Sequence, residues 1–288
     1  MDLVAIVGTL VVGFGAGMLS GMFGVGGAVI STPAIRALGA TPIEAVGSTI
    51  PAILPAAISG ALRYAKEGLV DWRIAGTCGI AGTVMAIVGA KVSDLVDARW
   101  LMVATAVLVL WSGVGSIRKG LAMEGDHDVV LDEEDGERSA DVPALAGVGA
   151  VAGFLAGLLG IGGGAIMMPL FTSVLRLPVK VAVASSLVAV AIFSIPAMVS
   201  HAWLGHINWA FALLLVAGTV PGARVGSKIA IATADRRMRI LLGVFFCIIA
   251  FVYGGRRARR HPHRLTVPVV SARAYAVRHH RNGEDLQP

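Results

Sequence analysis

Two short glycine runs hold the residues best suited to chemistry in this sequence. Gly24-Val25-Gly26-Gly27 and Gly160-Ile161-Gly162-Gly163-Gly164 both lie inside long apolar stretches. Clustered glycines continue a helix only at a cost, because each gives up more backbone freedom than any other residue. A helix that stops there and restarts presents unpaired N–H groups and the positive end of its dipole. An anion is held at such a place without a buried charged side chain. Gly26, Gly27, Gly163 and Gly164 are therefore candidate donors. Ser48-Thr49 and Ser185-Ser186 sit at the starts of the following long helices and offer hydroxyls. Two such half-sites facing each other would suit a small oxyanion. The competing account of the four Ser and Thr is that they bond their own helix backbone.

Other polar residues carry weaker signals. Lys91 and Lys228 follow apolar helices and either attract anions to a vestibule or snorkel to headgroups. Arg224, just inside the ninth segment, has no basic counterpart in the other half and is read the same way. His201 and Asn208 flank a short loop with His206 between them, where surface residues are the plainer account than a pH-sensitive gate. No carboxylate lies deep in an apolar stretch, so a proton relay built on Asp or Glu is unsupported. Cys78 and Cys247 lack metal-ligand spacing and read as small core residues. Nucleophile–base–orienter sets and zinc spacings are absent from the sequence. No catalytic residue, metal or cofactor is expected, and an enzyme is not indicated.

The elements that must position the glycines follow from composition. Hydrophobic residues make up 56% of 288 positions and charged residues 15%, with a mean hydropathy of +0.79. A soluble domain of this size needs more charge to cover its surface. Uncharged apolar stretches recur at 3–35, 45–62, 74–90, 100–117, 142–175, 181–200, 207–223 and 240–255. Most are near the roughly 20 residues that cross a bilayer as a helix. Their runs of Ala, Leu, Val and Gly show no period-two alternation, which excludes a closed barrel. Met1-Asp2 has no basic region before the first apolar run, so that segment is expected to be retained. The chain reads as an all-α polytopic protein of the cytoplasmic membrane.

The halves of the sequence match. Gly13-xxx-Gly17-xxx-Gly21 recurs as Gly149-xxx-Gly153-xxx-Gly157, Pro33 as Pro169, and Pro42 as Pro178. Gly47-Ser48-Thr49 aligns with Ala184-Ser185-Ser186, and Gly68-x-Val70-Asp71-Trp72 with Gly205-x-Ile207-Asn208-Trp209. Each copy reads as about five helical segments: one long, one short after the glycines, then three long. The GxxxG spacing before each break reads as close helix packing rather than ligand binding. Pro33 and Pro169 are expected to end or bend the short pieces. If each glycine-broken hairpin enters and leaves on one side, each copy crosses an odd number of times and the copies are inverted. Each topology places one group of basic residues against the positive-inside rule, and inversion is the favoured reading.

The boundaries are a first transmembrane repeat at 1–117, an acidic linker at 118–142, a second repeat at 143–255 and a basic tail at 256–288. The linker runs from Glu124 to Asp141 with few apolar residues, and both it and the tail are expected to be disordered. The tail holds eight arginines against Glu284 and Asp285. Contact with anionic lipid suits it better than nucleic acid, since no folded module or aromatic platform accompanies it.

The ordered motifs resemble those of the sulfite exporter TauE/SafE family. They are the Gly17–Gly27 run, its counterpart Gly153–Gly164, the Pro-x-x-Ala-x-Gly-Ser-Thr of Pro42–Thr49, and Gly68–Trp72. The resemblance covers about residues 3–254, with Ala28 in place of a third glycine and Ser186 where the first copy has Thr49. It implies a duplicated fold and secondary transport of small sulfur-containing or organic anions, with export as the direction and a proton or sodium as possible coupling ion. The alternatives are an anion channel, or a membrane-embedded interaction protein acting through its tail. Oligomeric state is not legible.

Overall fold

The computed structural model describes residues 2–93, 98–122, 141–159, 164–203 and 205–255. Every regular element among them is a helix. The first half contributes α1 (Leu3–Phe23), α2 (Ala28–Ala37), α3 (Pro42–Lys66), α4 (Trp72–Ser93) and α5 (Ala98–Leu121). The second contributes α6 (Val142–Leu159), α7 (Gly164–Ser173), α8 (Val179–Trp203), α9 (Trp209–Ala232) and α10 (Asp235–Gly255). Among the described residues, five helices are long and apolar enough to cross a membrane: Leu3–Phe23, Glu44–Lys66, Trp72–Gly89, Val179–Trp203 and Trp209–Ala232. At 1.5 Å per residue, α1 is about 31 Å long, which matches a hydrocarbon core of roughly 30 Å. The acidic segment 123–140 and the tail from 256 lie outside the described residues.

Local signals set the helix ends. α1 stops because Gly24 adopts φ +66°, a left-handed cap that lets its N–H donate to the Ser20 carbonyl at 2.8 Å. Gly26 follows at φ +77°, so the chain turns twice before Gly27 opens α2. Thr41 caps α3 through a reciprocal box with Glu44: the Thr41 N–H donates to Oε2 at 3.0 Å, and Thr41 Oγ1 accepts from the Glu44 N–H. Trp72 and Trp209 open α4 and α9 and are largely exposed, as interfacial anchors should be. Of the two outcomes expected for Pro33 and Pro169, ending the short helix does not occur: both lie inside, and α2 and α7 continue to Ala37 and Ser173. One lost N–H does less harm than opening the remaining backbone to an apolar surround.

The packing interlocks the halves. α1 lies chiefly along α9 and α6 along α4, so each first helix takes its main partner from the other half. α3 packs on both α8 and α9, and α4 on α8. The α1–α9 contact is backbone to backbone. A Cβ on Gly13 would stand 3.1 Å from the Leu215 carbonyl oxygen, and one on Gly17 or Gly21 would strike the backbone of Thr219 or Ala223. Gly218, Gly222 and Gly226 return the contact against α1. Gly149 and Gly153 meet Cys78 and Gly82 in the same way on α4. Glycine stripes replace the hydrophobic driving force that lipid removes, through close van der Waals approach.

Directions follow from the same contacts. α1 runs parallel to α9 and α6 parallel to α4, since residue numbers rise together along each contact. α3 and α8 run antiparallel: Gly47 lies against the His206 carbonyl beyond the end of α8, while Gly60 meets Leu187 near its start. α5 and α10 are antiparallel too, with Gly113 against Gly243 and Gly120 against Ile240. One end of the bundle therefore carries the α3–α4 loop, the end of α9 and the start of α10. The other carries the start of α3 and the α8–α9 loop.

Candidate functional site

The glycine breaks are brought together. Gly164, the first residue of α7, lies so close to Gly24 and Val25 that a Cβ would overlap the Gly24 carbonyl oxygen and stand 2.9 Å from the Val25 Cα. The short helices lead away from this meeting point in opposite senses. α2 connects to the start of α3 at one end of the bundle, and α7 to the start of α8 at the other. Two half-helix N-termini thus open toward the interior. Val25 and Gly26 are buried, and a Cβ on Gly26 would meet only Val190, at 3.8 Å. Gly27 accepts the first helical bonds of α2 from the N–H groups of Ile30 and Ser31. Gly163, with Gly160–Gly162, lies outside the described residues.

All four hydroxyl residues are buried, and they divide into two jobs. Ser48 Oγ accepts from the Asn208 N–H at 2.9 Å, and Ser185 Oγ accepts from the Asp71 N–H at 3.1 Å. Asp71 and Asn208 lie just before α4 and α9, so each serine holds a helix-starting loop of the opposite half. The loops complete the arrangement by capping: Asp71 Oδ1 accepts from the Ile74 N–H, and Asn208 Oδ1 from that of Ala210. Thr49 faces the short helix α2 instead, and Ser186 the first break. Thr49 Oγ1 donates to the Val46 carbonyl at 2.8 Å and lies 3.3 Å from Thr32 Oγ1 on α2. Ser186 Oγ bonds the Val183 carbonyl at 2.8 Å and the Gly24 carbonyl at 3.2 Å. Backbone bonding thus accounts for contacts of all four, and only Thr49 and Ser186 also touch the short helix or the break.

Removing the paired serine contacts should cost stability rather than chemistry. Each leaves a buried N–H unsatisfied, at about 1–3 kcal/mol. They lie at opposite ends of the bundle, so Ser48→Ala and Ser185→Ala should add nearly independently. The expected result is a lowered melting temperature in detergent for each variant and roughly the sum for the double. A double variant as stable as wild type would sink this assignment.

Sequence reasoning missed one participant. Tyr64 is fully buried on α3, and its hydroxyl donates to the Gly21 carbonyl at 3.0 Å. Gly21 is among the last residues of α1, whose terminal carbonyls lack helical partners, so Tyr64 supports the break from below. An isolated tyrosine among apolar residues gives no periodic signal that reveals this. Arg224, read from the sequence as lying just inside its segment, does lie within α9, which continues to Ala232. Its Nε donates to Ser59 Oγ on α3 at 3.1 Å. The Lys91 side chain lies outside the described residues. His206, in the loop against α3, pairs edge to face with His201 in the last turn of α8, ring centroids 5.4 Å apart.

The chain matches the family described as Sulfite exporter TauE/SafE over residues 9–253. Among curated proteins it is similar to one named probable membrane transporter protein YunE from Bacillus subtilis. The two are 29% identical over 262 residues, covering 84% of this chain and 96% of that protein. A probable membrane transporter protein from Xylella fastidiosa is 28% identical over 222 residues, covering 76% and 81%. A similarly named protein from Methanocaldococcus jannaschii is 27% identical over 251 residues, covering 81% and 89%. No solved structure matches the chain.

Proposed function

Because the chain belongs to the sulfite exporter TauE/SafE family, we propose that it carries a small sulfur-containing or organic anion across the cytoplasmic membrane by alternating access, in the direction of export. That it is a multi-pass membrane transporter and not an enzyme follows from the family and from the candidate spans. The observation that supports an anion as cargo is the contact of Gly164 with the Gly24–Val25 turn. It sets two half-helix N-termini toward one interior point, where oriented N–H groups favour negative charge. No carboxylate of the described spans is needed for that attraction.

The same reading takes the halves as inverted repeats. Supporting it, α3 and α8 occupy matched places and run antiparallel, and the Ser48–Asn208 and Ser185–Asp71 bonds are one contact with the halves exchanged. Such halves rock against each other around a fixed central site. A proton or sodium gradient is the energy source this mechanism calls for.

Counterflow tests the transport reading. Proteoliposomes loaded with unlabelled sulfite, thiosulfate or sulfoacetate should accumulate the labelled anion transiently and saturably. Unitary currents with no counterflow would mean a channel instead. For inversion, single cysteines at Glu67 and Gly205 in a chain lacking Cys78 and Cys247 should react with an impermeant maleimide from opposite sides. Labelling from one side would rule inversion out.

A further inference from the structure

We propose that the bodies which rock are not the halves as they stand in sequence but two composites, each exchanging one helix with the other. The first is α1, α2 and α3 with α9, and the second is α6, α7 and α8 with α4. The inference rests on the alternating-access reading and specifies where that motion divides the molecule.

Contacts that resist sliding lie inside each composite. A Cβ on Gly17 would strike the Thr219 backbone, and one on Gly153 that of Gly82. A slip of one residue would put Met18 or Phe154 where these glycines sit, and overpack the contact. Hydrogen bonds follow the same division. Thr219 Oγ1 donates to the Ala52 carbonyl at 3.4 Å, joining α9 to α3. Cys78 Sγ donates to the Leu145 carbonyl at 3.2 Å, joining α4 to α6. Even the paired serines stay inside: Ser48 holds the start of α9 on α3, and Ser185 the start of α4 on α8.

The boundary between the composites is built differently. α3 meets α8 through a side chain that can turn, with Leu187 against Gly60, and a Cβ on Gly26 would make only ordinary contact with Val190 at 3.8 Å. Such interfaces permit the small sliding of packed helices that shear motion needs. The boundary also passes through the glycine junction. Gly24 and Val25 belong to one composite and Gly164 to the other, and Ser186 Oγ reaches across to the Gly24 carbonyl at 3.2 Å. Sliding of α3 on α8 therefore opens the junction toward one end of the bundle or the other, while both glycine-packed pairs stay whole. The α3–α4 and α8–α9 connections pass from one composite to the other. Each turns on a left-handed glycine, Gly68 at φ +69° and Gly205 at φ +68°, with open space around it. α5 and α10, which cross at Gly113 and Gly243, stand outside both composites.

Chemical links distinguish halves from composites. In the full chain in proteoliposomes, three cysteine pairs are closed with a short bis-methanethiosulfonate. They are Ala52→Cys with Thr219→Cys, Leu145→Cys with the native Cys78, and Gly60→Cys with Leu187→Cys; the remaining native cysteines are changed to serine. Every pair joins the two sequence halves, but only Gly60 and Leu187 join the two composites. Counterflow of labelled sulfite, thiosulfate or sulfoacetate should stay within about twofold of the unlinked protein for the first two. The third link should cut it at least tenfold, with recovery on reduction. Block by all three links, or full counterflow through the third, would overturn the inference. Spin labels at exposed Ile58, Leu213 and Ile195 decide the matter should the Gly60 pair fail to insert. With these anions added, the Ile58–Leu213 distance should hold while Ile58–Ile195 changes; the reverse would overturn the inference. Wild-type protein that carries none of the probes would overturn the transport reading, and the inference with it.

Discussion

Gly164→Leu is expected to abolish anion counterflow while the protein still reaches the membrane. The first residue of α7 has no room for a side chain, because a single Cβ already overlaps the Gly24 carbonyl oxygen and crowds Val25. Those atoms are backbone and cannot rotate aside. A leucine therefore forces the two breaks apart, and it covers the N–H groups that would face an anion. The spans on either side are untouched in sequence, so insertion should follow wild type. The expected loss is at least a hundredfold in initial rate, which corresponds to about 2.7 kcal/mol of lost transition-state stabilisation. Gly164→Ala should already impair flux strongly. Gly147→Leu on α6 is the matched control, since its Cβ would meet nothing within 4 Å. Full flux in Gly164→Leu would remove the glycine junction from the mechanism.

The second large effect is on assembly. Gly17→Leu and Gly153→Leu place side chains directly against the backbones of α9 and α4. Overpacking against side chains, which can move, typically costs about 1–3 kcal/mol. Against backbone the helices must separate along their length, so a cost of about 3 kcal/mol or more is expected. For a chain of this size that lowers the melting temperature in detergent by roughly 6–12 °C. Gly15→Leu, two residues from Gly17 with open space around its Cβ, should leave it unchanged. Equal stability of Gly15→Leu and Gly17→Leu would contradict the packing described for α1 and α9.

The comparison of these residues shows what a sequence reveals about such a chain. Gly24–Gly27 and the triple glycine at 162–164 were legible as breaks because no packing requirement explains so many in a row. The helices around them were legible through apolar length. The division of labour among Ser48, Thr49, Ser185 and Ser186 was not. It depends on loops at Asp71 and Asn208 that are distant in sequence, and a hydroxyl looks the same whether it accepts from a loop or bonds its own turn. Arg224 was legible as a cation just inside its segment, but its partner Ser59 on α3 was not, because the two are distant in sequence. Pro33 alone did not show whether its short helix ends there, since a proline removes one hydrogen bond but leaves the rest of a short helix to protect its own backbone.

The crossed pairing of α1 with α9 and α6 with α4 also governs how the protein is made. A ribosome delivers helices in order, yet the glycine face of α1 finds its partner only after α9 has emerged. At ordinary synthesis rates that interval is on the order of 10–40 s. α6 has no such wait, because α4 is already in the bilayer when it arrives. The first half therefore enters the membrane incomplete, and the second half closes it. Co-expressed fragments divided within residues 123–140 should then reassemble, while the first fragment alone should be degraded.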